Sequence, residues 1–380
     1  MSLYARLAGF YFFYYGTVGA FMPYWSPYLD VRGFTAAQMG VAYALMGLTR
    51  STMPILWGWW ADVSGRRVRL VRWCVLASLA LFMGIPFVPA VAPVAALMVA
   101  YSIFWHAMLS QFEVVALMHL REAGGDYGRV RLWGSVGFVT AVLILGPILD
   151  RTGMLPLPWL VGTMFAGMAV SAWRVPEVPA MPAASASSGS VLQVLRQPEV
   201  LALLAACTLS QLSFAPYYNF FSLFLQQHGY SRGLSGVLWA LAVVAEIGMF
   251  LRMGRLLAAF GARKLMLAVL VATAARWVLT PLLADSLALL VLLQLSHALT
   301  FGAFHGLAVH YIQRFFTGSL QGRGQAFYNA AAYGVGGSIG SLGGGYLWAF
   351  SPAVVFYAAA GAAALGAWIA WRGLPRDEAV

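Results

Sequence analysis

Charged side chains are scarce in this chain: they make up 9% of its 380 residues, whereas 61% are hydrophobic. A soluble globular domain carries roughly 25% charged residues, so this composition excludes one. Apolar runs of about 20 residues recur along the chain, and alternation with a period of two is rare. The sequence therefore predicts membrane-spanning helices and excludes the strands of a membrane barrel.

Cysteines and catalytic motifs are also sparse. The two cysteines, Cys74 and Cys207, both fall inside apolar runs, where we expect simple packing and neither a disulfide nor a metal site. The sequence has no HExxH motif and no nucleotide-binding loop. It predicts neither an enzyme nor a protein with a metal or other cofactor.

The basic residues set the predicted topology. With the N-terminus in the cytoplasm, 18 of the 23 lysines and arginines lie on the cytoplasmic side, Arg32, Arg151 and Arg232 lie opposite, and Arg50 and Arg276 lie inside spans. The positive-inside rule favours this orientation, so the net charge of +11 reflects a lipid bilayer and not nucleic acid. We predict a bacterial cytoplasmic (inner) membrane protein with both termini cytoplasmic. The twelve predicted spans are roughly residues 4–29, 37–59, 70–90, 93–118, 129–149, 155–174, 199–227, 233–253, 264–284, 286–313, 322–348 and 352–371.

One long polar stretch interrupts the apolar pattern. Residues 175–197 contain VPEVPAMPAASASSGS, which is typical of a linker. It divides the chain into an N-terminal six-helix bundle (1–174), a cytoplasmic linker (175–198) and a C-terminal six-helix bundle (199–380). Many secondary transporters consist of two such repeats with the substrate site at the midplane. The predicted fold class is an all-α membrane protein with 12 transmembrane helices in two six-helix bundles.

A charged motif follows the second span. GWWADVSGRR, residues 58–67, resembles the signature of the major facilitator superfamily: a glycine, three residues, an aspartate, then Gly-Arg-Arg. The resemblance implies a cytoplasmic latch that holds one of the two access states, formed by Gly58, Asp62, Gly65, Arg66 and Arg67. The corresponding stretch of the second half has Ala258 where the acid belongs, so we expect a latch on one side only.

A second motif narrows the resemblance. DYGRVRLWGSVGF, which begins at Asp126, resembles the entry to the fifth span in the phenylpropionate permeases and in the oligosaccharide/proton symporters of lactose permease type. By position, the symporter resemblance implies a substrate clamp of Glu113 and Arg131 and a stacking ring at Phe138. It also implies functional roles, in the second half, for Asn219, Glu246, Arg276 and His297.

The differences between this chain and the symporters argue against a sugar as the substrate. Thr300 and Phe214 stand where those proteins have carboxylates, and Gln294 stands where they have a lysine. Arg50, in the middle of the second span, is an additional cation. The phenylpropionate permeases are the closer likeness, and the route of the proton stays unassigned.

The buried polar residues indicate a functional site independently of the family resemblance. A carboxylate in the hydrocarbon costs about 2.5–3.5 kcal/mol, so Glu113 and Glu246 are expected to pair, titrate or hold a ligand. Glu246 and Arg276 lie on adjacent spans and form either a structural ion pair or a pair that the substrate switches. His297 and His305 are either proton relays or satisfied core histidines.

The balance of buried charges indicates the class of substrate. Arg50, Arg131 and Arg276 outnumber the two buried glutamates, and a substrate carboxylate would neutralise the surplus positive charge. Phe138, Tyr217 and Tyr218 offer rings for a flat ligand. We predict a monomeric symporter that takes up a small aromatic or apolar monocarboxylate, resembling phenylpropionate, with a proton. The alternatives are a sugar or nucleoside/proton symporter and a drug/proton antiporter, although only Gly146-Pro147 of the antiporter motif is present.

Overall fold

The computed structural model describes residues 2–178 and 190–376, and within those ranges every regular element is helical. The prediction of an all-helical protein is confirmed. In chain order the α-helices are α1 (Leu3–Phe21), α2 (Trp25–Val31), α3 (Ala36–Ser64), α4 (Arg67–Phe82), α5 (Val91–Ala123), α6 (Tyr127–Thr152), α7 (Leu157–Arg174), α8 (Val191–Leu195), α9 (Pro198–Gln227), α10 (Arg232–Phe250), α11 (Met253–Phe260), α12 (Ala262–Leu282), α13 (Leu287–Leu295), α14 (Phe304–Phe315), α15 (Gln321–Asn329), α16 (Gly337–Trp348) and α17 (Pro352–Gly373).

Eight helical segments in the described ranges are long and apolar enough to cross a membrane. They are α5, α6, α9, α10, α12, α17 and the longer segments Arg67–Phe87 and Leu287–Phe315. The other four predicted spans also coincide with helical segments: α1 with α2, then α3, α7, and α15 with α16.

Local sequence explains where several helices begin and end. Thr35 and Gln38 form a reciprocal capping box that starts α3. Gly65 ends α3 with a φ of 66°, a left-handed conformation that glycine adopts without a Cβ penalty. The Asp126 side chain starts α6 by accepting a hydrogen bond from the Gly128 N–H at 2.7 Å.

Two π-helical segments interrupt predicted spans in the second half of the chain. Ala298–Ala303 joins α13 to α14, and Ala330–Gly336 joins α15 to α16. Such wide turns are rare and occur frequently at functional sites. The first directly follows His297, one of the residues predicted to carry function.

The chain divides into two compact units. The first comprises Met1–Ala184 with Leu225–Ala240, and the second comprises Ser185–Phe224 with Leu241–Val380. In the first unit, α1 packs against α6 and α7, and α5 packs against α3 and α4. In the second, α12 packs against α17, and the core includes Met266, Phe304, Tyr311 and Tyr328, all with fully buried side chains.

Glycines bring α1 and α6 into close contact. A Cβ at Gly137 would overlap the carbonyl oxygen of Phe12, and a Cβ at Gly19 would lie 2.7 Å from that of Phe138. Only glycine permits such an approach of two helix backbones. This contact positions Tyr15 of α1 beside Arg131, a predicted site residue of α6.

The predicted linker is only partly described, because its residues 179–189 lie outside the described ranges. At its start, the Glu177 carboxylate accepts hydrogen bonds from the backbone N–H groups of Val68 at 2.7 Å and Arg69 at 3.1 Å. A carboxylate there satisfies orphan donors in the first turn of α4 and complements the helix dipole. The division into 1–174, 175–198 and 199–380 stays a prediction.

Candidate functional site

Arg131, on α6, is held by Tyr15 of α1. An Nη2 hydrogen of Arg131 is donated to the Tyr15 hydroxyl oxygen at 2.5 Å, and the guanidinium carbon lies 4.0 Å from the centroid of the Tyr15 ring. Gly134 leaves the space for both groups: a Cβ there would lie 2.6 Å from Cδ2 of Tyr15 and 2.8 Å from Nη1 of Arg131. The arginine therefore has an aromatic face and a hydroxyl as its partners.

Glu113, on α5, is contacted by a different tyrosine. The Tyr127 hydroxyl donates to Oε1 of Glu113 at 3.4 Å. Arg131 is near enough to interact electrostatically with this carboxylate, but among the described residues no ion pair joins the two. The predicted clamp residues are neighbours, and each has its own tyrosine.

Arg50 lies on α3 with an exposed side chain. It interacts electrostatically with Tyr14 and His106. Next to it, the Thr49 hydroxyl lies 2.8 Å from Oγ of Ser102 and 3.0 Å from Nδ1 of His106. Ser102 and His106 of α5 thus both form hydrogen bonds to α3.

Phe138 and Asn219 are predicted substrate residues with packing roles in the structure. Phe138 is buried, with 6% of its surface exposed, on the face of α6 that meets α1. Asn219 donates its Nδ2 hydrogen to Oγ of Ser341 at 2.8 Å, which ties α9 to α16. Their roles in binding stay predictions.

Arg276, on α12, is the most deeply buried of the predicted site arginines, with 2% of its surface exposed. Nη1 donates to Oγ1 of Thr300 at 3.0 Å, and Nη2 donates to Oε1 of Gln294 at 3.4 Å. The guanidinium carbon lies 4.8 Å from the ring of Tyr217 and 4.7 Å from that of Trp277. Its Nε has no hydrogen-bond partner among the described residues.

His297 lies between Arg276 and Glu246. Its Nδ1 is 3.0 Å from Nη1 of Arg276, and its Nε2 is 4.0 Å from Oε2 of Glu246. A guanidinium group can only donate hydrogen bonds, so Nδ1 must accept one and the ring proton of neutral His297 sits on Nε2. That tautomer directs an N–H towards the carboxylate.

Aromatic rings surround this polar network. The rings of His297 and Phe301 are stacked 5.1 Å apart, and those of Phe301 and His305 are stacked 6.2 Å apart. Phe214, Tyr217 and Tyr218 complete the surroundings of His297, with ring centroids 5.9, 5.7 and 6.4 Å away. Three of the predicted substrate residues, Tyr217, Tyr218 and Arg276, are thereby brought together with His297.

His305 lies at the other end of this stack. Its Nδ1 is 3.3 Å from the hydroxyl of Tyr328 and 3.2 Å from that of Tyr333. The hydroxyl groups can donate to a neutral imidazole or accept from a charged one. The predicted role of His305 in proton transfer stays a prediction.

The structure shows the local contacts of the predicted latch residues. Arg67 pairs with Asp62 and donates an Nη1 hydrogen to Oε1 of Gln111, on α5, at 2.6 Å. A Cβ at Gly58 would lie 3.3 Å from Nε2 of the same glutamine, so the glycine keeps space beside it. Arg66 directly precedes α4 and is largely exposed.

Several partners in the site were not found from the sequence. Tyr15 and Tyr127 escaped notice because the chain has 17 tyrosines and no spacing distinguishes these two. Gln111 lies in α5 among apolar residues, and Glu177 lies in the predicted linker. Gln294 and Thr300 were noted only as departures from a motif, although both bind Arg276.

The described residues contain no cluster of three or more His, Cys, Asp or Glu side chains that could hold a metal ion. The two cysteines are free and buried.

Comparisons with known proteins agree with this architecture. Residues 4–358 match the model of the MFS_1 like family. An Escherichia coli (strain K12) protein named "Probable 3-phenylpropionic acid transporter" is 29% identical over 353 residues, covering 91% of this chain and 92% of its own. The maltose permease of Geobacillus stearothermophilus is 28% identical over 356 residues, with coverage of 92% and 89%.

Solved structures give the same fold. A mutant form of the nucleoside transporter NupG superposes with a TM-score of 0.85 at 16% identity, over 97% of this chain and 99% of that one. The predicted twelve-helix fold of the major facilitator superfamily is confirmed. This chain is a membrane transporter and belongs to the MFS_1 like family.

Proposed function

We propose that the protein takes up a small aromatic or apolar monocarboxylate, resembling phenylpropionate, together with a proton. The main support for this proposal is the set of partners that the site arginines have. Neither Arg131 nor Arg276 forms an ion pair with a carboxylate among the described residues: the first is held by Tyr15 and the second by His297, Thr300 and Gln294. A cation in such surroundings favours an anionic ligand.

The aromatic rings support the apolar part of the substrate. Tyr217 and Tyr218 lie beside Arg276 and His297 in the second unit, with Phe214 and Phe301 next to them. Rings of this kind bind flat apolar groups, while the arginine binds the carboxylate. The similarity to the Escherichia coli phenylpropionic acid transporter agrees with this choice.

His297 offers a means of coupling the proton to the substrate. Nδ1 accepts a hydrogen bond from Arg276 only while it is unprotonated, so a proton on Nδ1 must break that contact. The charged imidazole is then stabilised by Glu246 on its other side. Arg276 becomes available to the substrate carboxylate, and the proton and the anion bind together.

The sugar alternative has one observation in its favour, the similarity to the maltose permease. Against it, Thr300 and Phe214 stand where the oligosaccharide/proton symporters that this chain resembles have carboxylates. The antiport alternative has only the Gly146-Pro147 fragment in its favour.

Uptake into proteoliposomes separates these functions. Purified protein would be tested with labelled 3-phenylpropionate, maltose and uridine, with and without an imposed pH gradient. We expect uptake of the acid, accelerated when the outside is more acidic, and no uptake of the other two. Uptake of maltose or uridine alone, or expulsion of substrate in exchange for protons, would contradict the proposal.

Substitutions then test the residues. Arg50→Gln should abolish acid uptake and leave the binding of a neutral analogue, such as 3-phenylpropanol, intact. Unchanged acid transport in this variant would refute the role of Arg50. Glu113→Gln and Glu246→Gln, screened against acids and sugars, separate an effect on substrate choice from an effect on the pH gradient.

A further inference from the structure

Tyr15 is a residue to which the sequence motifs give no role, yet it makes the closest contact of Arg131. It accepts a hydrogen bond from Nη2 at 2.5 Å, and its ring covers one face of the guanidinium at 4.0 Å. Both residues are half-buried. One face of the cation is therefore occupied by the Tyr15 ring, and the ring of Tyr11 lies 5.8 Å from the guanidinium carbon.

The hydroxyl of Tyr15 keeps one hydrogen for a ligand. A guanidinium has no acceptor, so the Tyr15 oxygen must be the acceptor of the bond to Arg131, and its own O–H proton takes no part in that bond. Among the described residues, Tyr15 makes no second hydrogen bond, although the Glu113 carboxylate lies near enough to interact with it electrostatically. A hydroxyl that accepts from a cation is polarised, which makes it a stronger donor.

Arg131 and Tyr15 thus present a combined set of donors. The remaining N–H groups of Arg131 and the O–H of Tyr15 lie within a few ångströms of one another, because a 2.5 Å hydrogen bond joins the two side chains. A carboxylate is charged and has two oxygens with about four acceptor sites, which suits such a set, whereas an alcohol or an amide offers one neutral acceptor oxygen.

We propose that Tyr15 binds the substrate carboxylate directly, through its hydroxyl, beside Arg131, and that it makes the site select acids over neutral molecules of the same shape. This inference rests on the proposed function. It adds a specificity-determining residue on α1, outside both motifs.

Gly134 positions this pair. It lies three residues after Arg131, and a Cβ there would meet both the Tyr15 ring at 2.6 Å and Nη1 of Arg131 at 2.8 Å. An added methyl group would separate the ring from the cation without changing either functional group. Gly134→Ala is therefore a variant that disturbs the geometry alone.

Equilibrium binding to the purified, full-length protein tests the inference. The probes are 3-phenylpropionate and the neutral 3-phenylpropanol, and the variants are Tyr15→Phe, Gly134→Ala and, as a control, Tyr14→Phe on the same helix. Tyr15→Phe keeps the ring and removes only the hydroxyl. We expect it to weaken binding of the acid about 10- to 100-fold, the usual effect of a hydrogen bond to a charged group, with the alcohol unaffected.

The outcomes distinguish this inference from the proposed function. Gly134→Ala should also weaken acid binding selectively, and Tyr14→Phe should bind like the unaltered protein. If the unaltered protein prefers the acid and Tyr15→Phe prefers it equally, the role of Tyr15 is refuted and the proposed function stands. If the unaltered protein shows no preference for the acid, both are refuted.

Discussion

Nδ1 of His297 lies 3.0 Å from Nη1 of Arg276, a distance that is possible only while the imidazole nitrogen carries no proton. Nε2 of the same ring faces Glu246 at 4.0 Å, longer than a hydrogen bond. The sequence left open whether Glu246 and Arg276 form a structural pair or a switched pair. In the structure, the histidine stands between them, so a switch would act through its ring.

The first prediction concerns His297→Gln. An amide oxygen can keep the contact with Arg276 at every pH, so the acid should bind equally well at pH 6 and pH 8. In the unaltered protein, binding should tighten as the pH falls, because protonation of His297 releases the arginine. Binding isotherms at the two pH values measure the difference.

Accumulation in proteoliposomes provides the second readout for the same variant. Symport of one proton with a monoanion is electroneutral, so a pH gradient supports about tenfold accumulation per pH unit. His297→Gln should lose this accumulation, and His310→Gln, a histidine of α14 outside the network, should retain it. Tenfold accumulation by His297→Gln would refute the proposed coupling.

The second prediction concerns the chemical identity of Arg276. Its planar guanidinium group contacts His297, Thr300 and Gln294 at once. The ammonium group of a lysine has all its donors on one nitrogen and cannot reproduce that geometry. Arg276→Lys and Arg276→Gln should therefore both lose acid binding, by roughly 10-fold or more. Titration with 3-phenylpropionate measures the loss.

The control for this pair is Arg129→Gln, which removes an exposed arginine of α6. Its ion pair with Asp126 is at the surface, and such pairs contribute little. Its acid binding should equal that of the unaltered protein. Full acid binding by Arg276→Lys would show that charge alone suffices at this position.

Much of the helical architecture could be predicted from the sequence because the length of an apolar run depends directly on the thickness of the bilayer. The contacts of individual side chains could not be predicted from the sequence. Periodicity assigns Glu113 to a face of α5. The contact between Arg131 and Tyr15, in contrast, depends on how α1 is rotated and shifted along its axis against α6. The same holds for His297: Thr300 lies in the π-helical turn that follows it and accepts a hydrogen bond from Arg276, and no residue pattern predicts that turn.

The third prediction concerns the contact between α1 and α6. Gly137→Ala would force the Cβ against the Phe12 carbonyl, and overpacking of this kind typically costs about 1–3 kcal/mol. Gly361→Ala, in α17, adds the same methyl group where nothing lies within 4 Å, and alanine there should be neutral or slightly stabilising. Thermal unfolding in detergent compares the two, and equal midpoints would contradict a tight contact at Gly137.

The fourth prediction separates the latch from the substrate site. Gln111→Leu removes the acceptor that ties Arg67 to α5 and leaves the pairing of Arg67 with Asp62. A hydrogen bond to a charged group contributes about 1.5–3 kcal/mol, so one access state should lose stability and the maximal rate of uptake should fall, roughly tenfold. The concentration for half-maximal uptake should stay the same, because no predicted substrate residue is altered. Gln193→Leu, at an exposed position of α8, is the matched control and should change neither quantity. A rise in the half-maximal concentration with an unchanged maximal rate would instead assign Gln111 to substrate binding, and the latch would then have to rest on Asp62 and Arg67 alone.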